Sequence, residues 1–285
     1  MEITGKTQLC ILIGNPVEHS MSPKMHNAAF QKLGLDYVYL ALRVDNDKVK
    51  EAIEGIRALN IKGANVTVPH KINAMQYLDE IDPVAENIGA INTIINKDGH
   101  LYGTNTDGIG AVRSLIEENV ELKDKKIVMI GAGGVARPIA YNFAPNAKEF
   151  VLFDIVESAV QNLTTELKKK IGGNVRGYES DSENISKEIQ DADIFINATP
   201  VGMYPKVNAS ILPKELLRKD LVVFDVVYNP LETKLLKEAR EIGAKAISGV
   251  MMLVYQGVAA FELWTGQKAP VDLMKKMVLE GLGLS

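Results

Sequence analysis

The segment KIVMIGAGGVA at residues 126–136 constrains the fold more than any other part of the chain. An apolar run is followed by two glycines and an alanine in the G-x-G-x-x-A spacing of a strand, a tight turn and a helix. The glycines let the backbone turn and approach a pyrophosphate, and the helix N-terminus offers unpaired N–H groups to it. The pattern predicts a Rossmann-like domain. Residues expected to contact a dinucleotide are Gly131, Ala132, Gly133, Gly134 and Val135.

Asp154 ends the next apolar run and lies 23 residues after Gly131. An acidic side chain there can accept hydrogen bonds from the adenine ribose of NAD, and its charge repels the 2′-phosphate of NADP. Residues 154–160 contain no Arg or Lys that could bind that phosphate. The charge pattern therefore favours NAD over NADP. A helix N-cap without a ligand is the alternative role for Asp154.

Strand-like and helix-like patterns alternate on both sides of the glycine turn. Strands are predicted at residues 9–13, 37–44, 63–68, 149–153, 193–198, 221–227 and 244–248, and helices at 22–32, 46–58, 69–78 and 107–118. Asp98-Gly99 predicts a hairpin turn. This order indicates an α/β fold with two domains and a cleft between them. We expect an N-terminal, mostly parallel α/β substrate domain formed by residues 1–106 and 249–285, and a Rossmann-like domain at 107–248.

The composition is that of a globular protein and excludes several classes of function. The 285 residues are 46% hydrophobic and 24% charged, with a net charge of −4, which argues against nucleic acid as a partner. Cys10 lies in an apolar run and is expected to be a buried, inert thiol, in keeping with a cytoplasmic location. Gln256 and Glu262 interrupt the longest apolar segment, so no membrane span is expected.

Polar residues cluster where the first-domain strands end. Ser20 and Ser22 flank a helix start, with Ser22 as the expected N-cap, and two hydroxyls there could hold a carboxylate. Asn65 and Thr67 lie on one side of the strand at 63–68. Lys71 is expected to open the next helix, where a cation opposes the helix dipole and so needs a functional reason. Asp107 is the matching acid. Together, Lys71 and Asp107 can transfer a proton to or from a substrate oxygen.

Two other chemistries find no support in these patterns. The four histidines lack the Cys/His spacing of a metal site, so no metal is expected, and there is no G-x-S-x-G elbow of a serine hydrolase. A structural or solvent-exposed role is favoured for each histidine. These residues are His19, His26, His70 and His100.

Eight blocks, in order along nearly the whole chain, resemble the shikimate dehydrogenases, a family that also contains quinate/shikimate dehydrogenases. They are GNPVEHSMSPKMHN (14–27), NVTVPHK (65–71), GAINT (89–93), GTNTDG (103–108), GAGGVA (131–136), NATPVGM (197–203), DVVYNPLET (225–233) and GVMMLVYQG (249–257). The resemblance implies reversible, NAD(P)H-dependent reduction of 3-dehydroshikimate to shikimate in aromatic amino-acid biosynthesis.

The same resemblance implies roles for individual residues. Lys71 and Asp107 would be the catalytic pair, and Ser20 and Ser22 would hold the substrate carboxylate. Ring hydroxyls would be contacted by Thr67, Lys71, Asn92, Asp107 and Gln256, with Tyr228 nearby. Further cofactor contacts would come from Thr199, Val226 and Gly249.

One departure from the family pattern concerns the cofactor. NADP-using members carry an Asn-Arg-Thr-like stretch where this chain has Asp154-Ile155-Val156. The departure again favours NAD and raises an alternative, an NAD-dependent quinate/shikimate dehydrogenase acting oxidatively. The Ser20/Ser22 pair is the form of shikimate-preferring members and speaks against that alternative. A binding protein that lost catalysis is disfavoured by the intact Lys71 and Asp107. We expect a small-molecule substrate and a monomer or homodimer.

Overall fold

The computed structural model describes residues 2–283, in which strands and helices alternate as predicted. The strands are β1 (Gln8–Gly14), β2 (Tyr37–Arg43), β3 (Gly63–Val66), β4 (Glu80–Ile81), β5 (Thr93–Lys97), β6 (His100–Thr104), β7 (Lys126–Ile130), β8 (Glu149–Asp154), β9 (Val175–Glu179), β10 (Ile194–Asn197), β11 (Val222–Asp225) and β12 (Lys245–Ser248). The α-helices are α1 (Ser22–Lys32), α2 (Val49–Ala58), α3 (Pro83–Ile88), α4 (Asp107–Glu117), α5 (Ala136–Phe143), α6 (Glu157–Lys170), α7 (Ser182–Ile189), α8 (Lys234–Ile242), α9 (Val250–Thr265) and α10 (Val271–Gly281).

The chain divides into two compact units. The first comprises Met1–Ile109 and Val254–Ser285, and the second comprises Gly110–Leu253. Both boundaries fall within the first turns of a helix, in α4 and in α9. The first unit is therefore assembled from both ends of the chain.

The first unit contains a mixed sheet in the strand order β2-β1-β3-β5-β6-β4. β1 pairs in parallel with β2 and β3, whereas β5 runs antiparallel to β3 and β6. The hairpin between β5 and β6 turns at Asp98 and Gly99, whose φ angles are 53° and 89°. A type I′ turn requires two positive φ angles, and Asp98-Gly99 provides both. The predicted hairpin is confirmed.

Apolar side chains cover both faces of this sheet. Ile53 and Ile56 of α2 pack on one face with the inward residues of β1 and β3. Trp264 of α9 packs on the backbone of β3 and donates its indole N–H to the carbonyl of Ile94 at 3.0 Å. A Cβ at Gly63 would lie 2.1 Å from the Trp264 nitrogen, so this close approach requires glycine there.

The second unit contains a parallel sheet in the strand order β12-β11-β10-β7-β8-β9. The chain runs outward from β7 through β8 and β9, then returns to β10 on the other side of β7. In such sheets ligands bind beyond the carboxyl ends of the strands at the point where the order reverses. The sequence did not predict β9, because VRGYE carries polar residues and a glycine rather than an apolar run.

The structure differs from two of the helix predictions. α1 begins at Ser22 as predicted, but the N-cap position is Met21, and Ser22 is a helical residue. The helix predicted at 69–78 is wrong: a turn at residues 69–72 leads into a short 3₁₀ helix, Asn73–Tyr77.

Candidate active site

A lysine and an aspartate form a buried ion pair in the first unit. Lys71 Nζ lies 2.5 Å from Asp107 Oδ2, and the two side chains are only 17% and 9% exposed. Lys71 belongs to the turn after β3, and Asp107 is the first residue of α4. The backbone also holds the lysine in place, because the Lys71 carbonyl accepts the Ile91 N–H at 3.0 Å.

Lys71 is predicted at a helix start, where its charge would oppose the helix dipole. No α-helix begins there, so that prediction is wrong. The physical reason for the lysine is instead its partner, because a buried ammonium is costly unless a carboxylate compensates it. The ion pair supplies that compensation.

Asn92 controls how the Asp107 carboxylate is oriented. Its Nδ2 donates to Asp107 Oδ1 at 2.8 Å, while Lys71 binds the other carboxylate oxygen. The Asn92 Oδ1 accepts the Thr106 N–H at 2.8 Å and the Thr93 hydroxyl at 2.9 Å. Because its carbonyl end is committed to these donors, the amide end faces the aspartate.

The hydrogen bonds continue from Asn92 towards the centre of the sheet. Thr93, which is fully buried, accepts a bond from Asn65 Nδ2 at 3.1 Å. The Tyr39 hydroxyl donates to Asn65 Oδ1 at 2.7 Å. A connected network of hydrogen bonds thus links Tyr39 to Asp107.

The other predicted substrate residues also belong to the first unit. Ser20 Oγ accepts the Ser22 N–H at 3.2 Å, so the two predicted serines are in contact. Thr67 extends the edge of β3, its N–H donating to Ile13 O at 2.9 Å. Its methyl group approaches Gly14 so closely that a Cβ there would lie 2.3 Å away. Gln256 is a partly buried residue of α9.

The glycine turn of the second unit joins β7 to α5. Gly131 has a φ of 116°, and a Cβ on it would lie 2.6 Å from the Ala198 carbonyl oxygen. By contrast, a Cβ on Gly133 or Gly134 would meet no atom within 4 Å. The first glycine is therefore needed by the fold, and the next two border open space. Ala136, fully buried, allows α5 to pack closely. This cradle fits the pyrophosphate of a dinucleotide.

Asp154 supports the glycine turn from the end of β8. Its Oδ2 accepts the Ala132 N–H at 2.6 Å, and its Oδ1 accepts the Val156 N–H at 2.8 Å. Both carboxylate oxygens thus hold backbone in place. The turn and the loop after β8 are joined through this one side chain.

The remaining predicted cofactor residues lie at the carboxyl edge of the same sheet. Thr199 follows β10, where its N–H and hydroxyl both donate to Asn197 Oδ1, at 3.0 and 2.7 Å. Val226 follows β11, and Tyr228, two residues on, is partly buried. Gly249 follows β12 and packs on the Val226 backbone, since a Cβ on Gly249 would lie 2.2 Å from the Val226 carbonyl oxygen.

Comparison with known proteins identifies the family of this chain. Residues 12–94 match the model of the shikimate dehydrogenase substrate binding domain, and residues 249–279 match that of the shikimate 5′-dehydrogenase C-terminal domain. A shikimate dehydrogenase (NADP(+)) from Methanocaldococcus jannaschii is 48% identical over 98% of both chains. The chain belongs to the shikimate dehydrogenase family.

Solved structures of the family have the same fold. A shikimate dehydrogenase crystallised with NADP+ is 45% identical and superposes with a TM-score of 0.93 over 99% of this chain and 98% of that one. Shikimate 5-dehydrogenase from Listeria monocytogenes, crystallised with shikimate and NAD, is 42% identical, with a TM-score of 0.93 over 98% of each chain. The resemblance inferred from eight sequence blocks is confirmed, and so is the two-part α/β fold.

The predicted preference for NAD over NADP is wrong. Relatives that are 46–49% identical over at least 97% of this chain are named for NADP(+). The structure gives the physical reason for the error. Asp154 was interpreted as a ribose ligand, but its two oxygens accept backbone N–H groups of the glycine turn and of the loop after β8. An aspartate bound in this way is a poor guide to cofactor preference, and its contact with the ribose stays a prediction.

Several residues of the polar network were not predicted as site residues. Tyr39 and Thr93 have no motif of their own, because one lies in a strand of alternating pattern and the other at the start of a hairpin. Asn65 lies two residues before Thr67 and Thr106 directly precedes Asp107, but their separation from Asn92 in the chain hides the contacts. The available signal was the pair of adjacent polar residues Asn92 and Thr93 where β5 begins.

Three further observations limit the kinds of site. Within residues 2–283, no group of three or more His, Cys, Asp or Glu side chains is placed to hold a metal ion. In the same residues no helix is long and apolar enough to cross a bilayer. Burial raises the pKa of the Cys10 thiol far above its usual range, so it is an inert core residue.

Proposed function

We propose that this chain interconverts shikimate and 3-dehydroshikimate with NADP(H), using Lys71 and Asp107 for proton transfer. One observation carries the proposal: a buried Lys71–Asp107 ion pair whose aspartate is oriented by Asn92. In such a pair the lysine ammonium can donate a proton and the aspartate carboxylate can accept one, and the two groups are in contact. The oxidation of a secondary hydroxyl requires a group that takes the proton from its oxygen, and this pair can do so.

In the oxidation of shikimate, the O–H bond of the reacting hydroxyl breaks as its C–H bond breaks and a C=O bond forms. The bound cofactor supplies the hydride acceptor. The hydroxyl proton passes to the Lys71–Asp107 pair, and the Lys71 ammonium stabilises the negative charge that develops on oxygen. In the reductive direction the same pair returns the proton to the carbonyl oxygen. The low exposure of both side chains strengthens these interactions.

The remaining first-unit residues provide binding groups of the right chemistry for shikimate. The Ser20 and Ser22 hydroxyls, in contact through the Ser22 N–H, suit a carboxylate. Thr67, Asn92 and Gln256 carry hydroxyl and amide groups that suit ring hydroxyls. Tyr228 belongs to the second unit, and its place near the substrate stays a prediction. We assign substrate binding to the first unit on this basis.

The second unit provides the cofactor site. Gly133 and Gly134 border open space at the start of α5, where helix N–H groups favour a pyrophosphate. Ala132 and Val135 belong to the same turn. We assign Thr199, Val226 and Gly249, which follow three neighbouring strands, to the nicotinamide half of NADP.

A panel of substrates and cofactors tests the proposal. The purified chain is given shikimate or quinate, each with NADP+ or NAD+, and kcat/KM is measured for the four combinations. We expect shikimate with NADP+ to have the highest value. A highest value for quinate would establish the alternative substrate, and no oxidation of shikimate with either cofactor would refute the proposal.

A further inference from the structure

A fully buried carboxylate lies at the carboxyl edge of the second sheet without a cationic partner. Asp225 ends β11, is 0% exposed, and forms no ion pair within residues 2–283. Burial raises its pKa to about 6. A buried carboxylate without a cation lowers the stability of the folded state unless hydrogen bonds compensate its lost hydration.

Three hydrogen-bond donors from three different segments meet this carboxylate. Asn197 Nδ2 at the end of β10 donates to Oδ1 at 2.9 Å, and the Val227 N–H donates to the same oxygen at 3.1 Å. The Thr233 hydroxyl donates to Oδ2 at 2.6 Å. All three bonds need an acceptor, which a carboxylate supplies on both oxygens and an asparagine side chain supplies on only one.

Two of these donors, Asn197 and Thr233, also hold neighbouring backbone in place. Asn197 uses its Oδ1 to accept both donors of Thr199, and its Nδ2 also approaches the Val201 carbonyl at 3.2 Å. Thr233 caps α8 by accepting the Leu236 N–H at 3.3 Å. Asp225 therefore connects the loop after β10, the loop after β11 and the start of α8.

These loops carry the residues assigned above to the nicotinamide half of the cofactor. We infer that Asp225 is a positioning residue, which holds the Thr199 loop and the Val226 loop at a fixed separation so that a nicotinamide can bind between them. The inference rests on the proposed function, because that assignment defines what the loops bind. Asp225 acts through Asn197 and Thr233 rather than by touching the cofactor.

The test measures NADP+ binding directly by titration calorimetry. Thr233→Val removes, at constant shape, the donor to Asp225 and with it the N-cap acceptor of α8, and Asp225→Asn removes the charge. Both are expected to weaken NADP+ binding by about 10-fold, as for the loss of one hydrogen bond to a charged group. Thr233→Ser, which keeps the hydroxyl, should restore binding to within about 3-fold of the wild type.

Thr164→Val is the matched control. It also removes a buried threonine hydroxyl from the second unit, but this hydroxyl has no hydrogen-bond partner. It should leave NADP+ binding unchanged. Shikimate binding to the cofactor-free chain should be unaffected by all of these substitutions. Unchanged NADP+ binding in Asp225→Asn and Thr233→Val, or an equal loss of shikimate binding, would overturn the inference.

The pH dependence provides a readout that a purely structural role would not change. The groups facing Asp225 are uncharged: the Asn197 amide from β10, the Val227 N–H and the Thr233 hydroxyl from the start of α8. Above pH of about 6 the wild-type carboxylate is charged, and below it the side chain becomes neutral like asparagine. The gap in NADP+ affinity between wild type and Asp225→Asn should therefore close as the pH falls from 7.5 to 5.

Binding and turnover separate the two proposals. If the wild type binds NADP+ but does not oxidise shikimate, the proposed reaction fails while the role of Asp225 is still tested by the titrations. If shikimate is oxidised and Asp225→Asn binds NADP+ as tightly as the wild type, the reaction stands and the positioning role is refuted.

Discussion

The Lys71 ammonium and the Asp107 carboxylate are in direct contact, 2.5 Å apart, although the residues come from different elements 36 positions apart in the chain. The contact exists because β3 and β6 end near one another in the first sheet and the segments after each strand converge. Asn92, between the two strands in the sheet order, completes the arrangement.

Lys71→Ala removes the cation of this pair. We expect kcat for shikimate oxidation to fall by about 100-fold or more, the usual effect of losing a general acid/base group. NADP+ binding should be unchanged, because the proposed cofactor residues belong to the second unit. Steady-state kinetics and NADP+ titration are the measurements, with the exposed Lys97→Ala as control. Wild-type turnover by Lys71→Ala would contradict the role.

Thr93→Val tests whether the buried network positions Asn92. The substitution keeps the shape of the side chain, but Asn65 Nδ2 and Asn92 Oδ1 each lose one hydrogen bond. We expect kcat to fall roughly 10-fold and the free energy of unfolding to fall by about 1–3 kcal/mol. Thr93→Ser should recover both quantities. A stability loss with full kcat would show that the hydroxyl serves the fold alone.

Gly133→Ala separates cofactor binding from folding. A methyl group at this position would meet no protein atom within 4 Å, so thermal stability should be unchanged. It would, however, enter the space where the pyrophosphate approaches the backbone, and we expect NADP+ binding to weaken by 10-fold or more, about 1.4 kcal/mol. Gly55→Ala, also in open space but on α2, is the control. Normal NADP+ affinity in Gly133→Ala would argue against the cradle.

Asp154→Ala should act on the turn rather than on cofactor choice. Losing two acceptors frees the Ala132 and Val156 N–H groups, so KM should rise for NADP+ and NAD+ together, by several-fold. The ratio of kcat/KM for the two cofactors should stay within about 3-fold of the wild type. A large change in that ratio alone would assign Asp154 to the ribose after all.

His26 should make the protein sensitive to acid. The side chain is fully buried among aromatic rings, including Tyr39 at 4.5 Å, and neither ring nitrogen has a hydrogen-bond partner. Burial lowers its pKa from 6.5 to about 3. The folded state thus keeps His26 neutral, while the unfolded chain binds a proton below pH 6.5, so this contribution to stability is lost as the pH falls from 6.5 towards 3.

At pH 5 the loss from His26 should be about 2 kcal/mol relative to pH 7. Urea unfolding at both pH values measures it, and His26→Leu is the matched variant without a titrating group. Asp225, whose pKa is raised, changes stability in the opposite direction over pH 4 to 6, and comparison with the variant cancels that contribution. Equal pH dependence in the two proteins would contradict the assignment.

Local patterns predicted most of the fold because each has a local cause. The Gly131 turn, the Asp98-Gly99 hairpin and the apolar runs of β1 and β7 all depend on residues close together in the chain. β9 and the turn at 69–72 were not predicted correctly. β9 lies at an edge of the sheet and is stabilised by pairing with β8.

By itself, the sequence determined the family, the dinucleotide turn and the two candidate catalytic residues, since each depends on residue types at fixed spacings. Only the tertiary structure decided which polar atoms meet: that Asn92 faces Asp107, that Thr93 connects it to Asn65, and that Asp154 bonds backbone. A hydrogen bond depends on the distance and direction between atoms that strand pairing brings together. Chain spacing does not contain that information, so the backbone contacts of Asp154 and the hydrogen bonds of Asp225 were not predicted.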